Sequence, residues 1–93
     1  MLKIEIAKRA SKSLSKLPPK HARQVATKIQ SLRADPEPFD SIHLKGYSPY
    51  RRADIGEYRI IYYVLNECLR IDLIGKRNDD EVYKVLSRIK IQS

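Results

Sequence analysis

Cysteine is nearly absent from this 93-residue chain: Cys68 stands alone. No intrachain disulfide and no cysteine-based zinc cluster can form. Long apolar runs are missing too. No segment approaches the roughly 20 apolar residues of a membrane span, and the N-terminus carries no run that would serve as a signal peptide. A cytoplasmic protein with no membrane partner is the expectation. Histidine is scarce, with only His21 and His43, far apart in a predicted helix and a loop. Neither reads as a catalyst, and no Ser-His-Asp order can be assembled. There is no glycine-rich phosphate loop, no internal repeat and no low-complexity tract.

Acids are missing from one long stretch. Between Ile6 and Ala34 lie Lys8, Arg9, Lys12, Lys16, Lys20, Arg23, Lys28 and Arg33, with no Asp or Glu among them. The whole chain has 19 Lys plus Arg against 11 Asp plus Glu, a formal charge of +8. Such a field attracts polyanions, with nucleic acid the leading candidate. An acidic protein partner fits the same field, and so does a solvated basic face with no partner.

What is present suits one small globule. A chain near this size buries roughly 60–70% of its unfolded surface, so residues 1–93 read as a single domain. The hydrophobic fraction of 42% fits a soluble globule rather than a disordered chain.

Periodicity gives the order of elements. Leu2, Ile4 and Ile6 alternate with Lys3 and Glu5, a short half-buried strand. Ala7, Ala10, Leu14 and Leu17 then fall at helical spacing. Pro18-Pro19 stops that helix, and Pro19 can open the next, whose apolar stripe is Ala22, Val25, Ile29 and Leu32. Asp35-Pro36-Glu37-Pro38 ends it. His43-Leu44 is too short to assign. Tyr50 to Ile55 reads as a strand, turning at Gly56-Glu57. Tyr58 to Leu65 is dense in β-branched and aromatic residues and is the clearest strand. Asn66-Glu67 makes a hairpin turn. Leu69, Ile71 and Leu73 alternate with Arg70 and Asp72, which predicts one wet face, and Gly75 marks the strand's end. Asn78 with Glu81 resembles a capping box for a last helix with Val82, Leu86 and Ile89 inward. The order β-α-α-β-β-β-α predicts an α+β domain with a mainly antiparallel sheet and a helical hairpin on one face.

The residue that asks for an explanation is Arg59, in the middle of the clearest strand in "RRADIGEYRIIYYV". A guanidinium stays charged and can only donate. By alternation it shares a face with Ile61 and Tyr63. One account is structural: Arg59 pairs with Asp54 or Glu57. The other is functional: if the strands pair as hairpins, Arg59, Arg77 and Tyr83 converge at one edge of the sheet. Arg51 and Arg52 lie on the strand before. Asp79-Asp80-Glu81 could suggest a metal, but acids at a helix start complement its dipole; no metal and no cofactor are implied.

"RRADIGEYRIIYYV" followed by "LIGKRNDDEVYK" resembles the RelE/ParE superfamily of bacterial and archaeal toxins. "IEIAKRASKSLSKLP" and "LKGYSPYR" extend the likeness over nearly the whole chain. The resemblance implies a RelE-like toxin of a type II toxin–antitoxin system. It implies a ribosome-dependent endoribonuclease that cuts messenger RNA in the A site of the 70S ribosome by 2′-hydroxyl attack. It further implies an acidic cognate antitoxin in a hetero-oligomeric complex. Position by position, Arg59, Arg77 and Tyr83 match the catalytic arginines and C-terminal tyrosine of the RelE branch, and Arg52 stands where a catalytic lysine does. Asp54 departs, standing where that branch has a second lysine. A subgroup using a glutamate and a C-terminal histidine has no counterpart here, since no histidine follows His43. Lys8, Arg9, Lys12, Lys16, Lys20, Arg51 and Lys76 are the expected RNA contacts. The alternatives are a ParE-like DNA gyrase inhibitor without nuclease chemistry and an inactive RNA-binding relative.

Overall fold

A computed structural model describes residues 1–77 and 81–92, with side chains in the last helix described from Val82 to Arg88. The elements run β1 (Lys3–Ile6), α1 (Lys8–Ser15), α2 (Pro19–Ala34), β2 (Ser41–His43), β3 (Arg51–Ile55), β4 (Tyr58–Leu65), β5 (Cys68–Lys76) and α3 (Glu81–Gln92). They form one five-stranded sheet in the order β1-β5-β4-β3-β2. β1 runs parallel to β5, and the other three pairings are antiparallel. The α+β class and the mainly antiparallel sheet agree with the sequence reading.

The two faces of the sheet bury different things. On one, Ala7 and Ala10 of α1 and Val25, Ile29 and Leu32 of α2 pack on Ala53, Tyr58, Ile60, Tyr62, Leu69, Ile71 and Ile74. On the other, Val82 and Leu86 of α3 cover Ile61 and Leu73, with Leu44, Tyr47, Tyr50 and Tyr83 around them. Fully buried isoleucines such as Ile60, Ile61 and Ile71 each contribute roughly 1.5–3 kcal/mol. Tyr62 is fully buried too and keeps its hydroxyl satisfied by donating to the Pro36 carbonyl at 2.7 Å, as a buried polar group must.

Two features depart from the sequence reading. The first is β2, a three-residue edge strand held to β3 with Ser41 opposite Ala53. Three residues cannot display a period; the strand exists because β3 offers it an edge. The second is the alternation in β5. Ile61 pairs with Leu73 and Tyr62 with Ile71, so Asp72 is a surplus residue, a β-bulge. The bulge reverses the parity. Leu73 turns to the α3 side while Leu69, Ile71 and Ile74 stay with the helical hairpin. Asp72, expected on a wet face, is only 3% exposed. It accepts from Arg9 Nη2 at 3.0 Å and from the Tyr50 hydroxyl at 2.8 Å. Strand β5 also runs one residue past Gly75. Asn78, Asp79 and Asp80, which carry the expected cap of α3 and its acids, lie outside the described residues, as do the side chains of Glu81 and of the expected inward Ile89.

Candidate functional site: a guanidinium cluster over the sheet

The ladder decides which side chains meet. Arg52 lies opposite Ile61 and Asp54 opposite Arg59 in the β3–β4 pair, and Arg59 lies opposite Gly75 in the β4–β5 pair. Alternation from Ile61 puts Arg52, Asp54 and Arg59 on the face that carries α3. The turn between β3 and β4 uses Gly56 at φ +57°, a conformation glycine adopts without a Cβ clash. That turn delivers Arg59 directly across from Asp54.

Arg59 is the centre of the cluster. Its Nε donates to Asp54 Oδ1 at 2.9 Å and its Nη2 to Oδ2 at 3.4 Å. Its Nη1 donates to the Tyr83 hydroxyl at 2.9 Å, and its guanidinium carbon stands 5.5 Å from the Tyr83 ring centroid. Arg52 Nη1 donates to the same hydroxyl at 2.8 Å, while its Nε is buried with no partner among the described residues. Arg77, the last described residue before α3, sends Nε to within 3.4 Å of Asp54 Oδ2. Its Nη1 donates to the Gly56 carbonyl at 3.3 Å, and its backbone N–H donates to the Glu57 carbonyl at 2.9 Å. The Arg59 side chain is 11% exposed and that of Arg77 50%. The cluster is therefore sealed at Arg59 and open at Arg77.

The structural account of Arg59 holds, and the expected convergence occurs on the face that carries α3 rather than at an edge of the sheet. Arg59 pairs with Asp54, and it converges with Arg77, Tyr83 and Arg52. Three guanidinium groups surround one carboxylate, so the site keeps a surplus of positive charge. Burial opposes ionisation of Asp54, but the hydrogen bond and charge of Arg59, then the charges of Arg77 and Arg52, outweigh it. The Asp54 pKa is held below the ordinary carboxylate value. The same bond to Asp54 raises the pKa of Arg59 against the opposing effect of its own burial.

The remaining cations are spread out. Lys8, Arg9 and Lys12 line an open cleft with Ala7 and Arg70, where Arg9 is engaged by Asp72 and Arg70 by Glu5. Lys16 follows α1 as its exposed C-cap. Lys20 lines a separate groove along α2 with Arg23 and Gln24. Arg51 lies opposite Tyr62, on the helical-hairpin face, where it donates to Ser41 Oγ at 2.7 Å and stands 3.6 Å from Glu37. Lys76 lies opposite Tyr58 and lines a pocket with Arg9 and Ser13. Neither Arg51 nor Lys76 touches the cluster. His21 is also elsewhere, its Nδ1 2.8 Å from the Tyr58 hydroxyl. Among the described residues no group of three His, Cys, Asp or Glu could hold a metal ion.

One determinant was hidden from the sequence. A Cβ on Gly75 would come within 2.5 Å of Val82 Cγ1. The bare glycine across from Arg59 is the seat on which α3 settles, and Tyr83 follows Val82. Nothing in the sequence ties Gly75 to Arg59 until the register is known.

A family model described as the ParE toxin of the type II toxin-antitoxin system, parDE, matches residues 4–81. A curated RelE1 toxin of Methanocaldococcus jannaschii is 38% identical over 65 residues, 67% of this chain and 72% of that protein. The archaeal RelE–RelB complex from Pyrococcus horikoshii is similar at 31% identity and a TM-score of 0.72, over 82% of this chain and 94% of that one. The isolated E. coli RelE toxin superposes with a TM-score of 0.74 over 96% of this chain and 99% of its own. At 23% identity that last likeness is one of fold.

Proposed function

Because this chain belongs to the RelE/ParE family of type II toxins, we propose that it is a ribosome-dependent endoribonuclease that cuts messenger RNA in the A site and so stops translation. The observation that carries the reading is the convergence of Arg52, Arg59 and Arg77 on the single pair Asp54 and Tyr83.

The chemistry needs what this cluster offers. When the ribose 2′-hydroxyl attacks the adjacent phosphorus, negative charge builds on the phosphoryl oxygens. Fixed cations aimed at those oxygens lower the barrier, each well-placed donor by about 3–4 kcal/mol. A guanidinium fork matches phosphate geometry. Arg77, half exposed and held by the β3–β4 turn, is the first to meet a phosphate. Arg59 is fixed at both ends by Asp54 and Tyr83 and supplies the second fork. The half-buried Tyr83 ring offers a stacking surface worth roughly 1–3 kcal/mol to a base. The ribosome would hold the flexible messenger in place, supplying orientation that a small domain cannot supply alone. Lys8, Lys12, Lys16 and Lys20 are the proposed grips on ribosomal RNA, with a steep salt dependence.

The partner that restrains it is a protein antitoxin. Similar structures include archaeal RelE bound to RelB, and the formal charge of +8 suits an acidic chain. A second reading, a gyrase inhibitor, is favoured by the ParE description of the matching family.

Induction followed by mapping of messenger ends, alongside a gyrase supercoiling assay, separates the two. Cuts within translated codons are expected from the parent. An Arg77→Ala variant that keeps the parent's melting temperature should lose at least 100-fold in cleavage. Parental cleavage by that variant sinks the assignment, and loss of supercoiling without any cut messenger moves the protein to the second reading.

A further inference from the structure

Cleavage by 2′-hydroxyl attack requires one group to take a proton and another to give one. The hydrogen bonds in the cluster restrict which groups can do either. Guanidinium groups carry no lone pair to accept a proton, which removes Arg52, Arg59 and Arg77 as bases. For the same reason both contacts to the Tyr83 hydroxyl run in one direction: Arg52 and Arg59 donate and the oxygen accepts. A hydroxyl has two lone pairs and one hydrogen. Both lone pairs of Tyr83 are taken, and only its O–H is left to act. Asp54 is the reverse case. Of its roughly four acceptor positions, Oδ1 receives one hydrogen bond, from Arg59 Nε, while Oδ2 faces Arg59 Nη2 and Arg77 Nε. Oδ1 keeps a position to spare, and the Asp54 side chain is 26% exposed.

We infer that Asp54 is the general base of the cleavage and Tyr83 its general acid, set on opposite edges of the Arg59 guanidinium. The inference rests on the endoribonuclease reading and deepens it. Asp54 Oδ1 removes the 2′-hydroxyl proton as that oxygen forms its bond to phosphorus. The bond from phosphorus to the 5′-oxygen breaks, its electron pair stays on that oxygen, and the Tyr83 O–H supplies the proton. The products are a 2′,3′-cyclic phosphate and a 5′-hydroxyl. Asp54 then returns its proton to water and Tyr83 regains one. An in-line displacement puts the entering and leaving oxygens on opposite sides of the phosphorus. Arg59 separates the two groups in that sense, holding Asp54 through Nε and Nη2 and Tyr83 through Nη1. It still has one N–H on each terminal nitrogen for a phosphoryl oxygen, out of five in all.

The test uses translation complexes programmed with a labelled messenger, either normal or carrying sulfur in place of the 5′-bridging oxygen at the cut site. A thiolate leaves without being protonated. Asp54→Asn and Tyr83→Phe are each expected to slow cleavage of the normal messenger by 100-fold or more. The sulfur messenger should restore Tyr83→Phe to within a few-fold of the parent and leave Asp54→Asn slow. Cleavage by Asp54→Asn at or above the parental rate overturns the inference, because Asp54 would then only restrain the arginines. Rescue of Asp54→Asn rather than Tyr83→Phe overturns it as well.

Should Asp54→Asn fail to fold, the parent carries the test. Its rate on the sulfur messenger should stay level from pH 8 to 5.5, and a tenfold fall per pH unit across that range would overturn the base assignment. A parent that leaves both messengers whole refutes the nuclease reading itself, whereas the Asp54 outcomes leave that reading standing.

Discussion

Gly75 lies directly across from Arg59 in the β4–β5 ladder, and its missing side chain is the space that Val82 occupies. The glycine thus positions the last helix, and with it Tyr83, over the guanidinium. Gly75→Ala should force Val82 outward and lift Tyr83 from Arg52 and Arg59. Overpacking of this kind costs about 1–3 kcal/mol. The expected result is a lower melting temperature together with a cleavage loss larger than the stability loss explains. Parental activity at a parental melting temperature would show that the seat does not matter.

Arg51 and Arg77 are both charged and both near β3, yet they should fail differently. Arg51 is 19% exposed in its side chain and spent on Ser41 and Glu37, fastening β2 to the sheet. Arg51→Ala should cost about 1–2 kcal/mol in urea unfolding and leave the folded protein's cleavage unchanged. Arg77→Ala should do the reverse, because its half-exposed side chain has little packing to lose.

Acid should weaken the Asp54 pairs in a defined direction. The folded pKa of Asp54 lies below its ordinary value of 3.8. Its contribution is therefore fully present above that value and is lost as pH falls through the folded value. The stability difference between the parent and Asp54→Asn should be level above about pH 5 and shrink below pH 3.8. A difference that grows on acidification would mean that the pairs do not form in solution.

Tyr50 reports on the bulge. Burial, followed by the hydrogen bond to Asp72 and that residue's charge, pushes its hydroxyl up to about 12. Asp72→Asn should bring this titration down toward the ordinary value of 10, read by tyrosinate absorbance. It should also cost roughly 1–3 kcal/mol, since a buried acceptor loses its charge beneath Arg9 and Tyr50.

Most of the fold was legible because its elements are long enough to show a period. The stripe Val25, Ile29 and Leu32 and the alternation Tyr58, Ile60 and Tyr62 name their own inward faces, and the structure buries all six. β2 was not legible, since Ser41–His43 is held by its neighbour rather than by any pattern of its own. The wet face expected of Asp72 failed because a bulge is set by the partner strand, and alternation within one strand cannot reveal it. At the cluster, Arg52, Arg59, Arg77 and Tyr83 were readable from the motifs. Arg51 and Lys76 were expected as RNA contacts, and parity places both on the hairpin side of the sheet, apart from the cluster. Gly75 carried no chemical signal, because its contribution is empty space whose neighbour is fixed only by the register.

The parallel pairing of β1 with β5 spans Cys68 to Ile71 and stops where the surplus residue begins. One half of β5 is therefore laced to strands on both sides, while Leu73 to Lys76 is laced to β4 alone. In deuterated solvent the two halves should part company. Amides of the first half should rank among the last in the protein to exchange, and those beyond Asp72 that face away from β4 should exchange well before them. The floor under the arginines would then be the looser end of a strand whose other half is bonded on both sides.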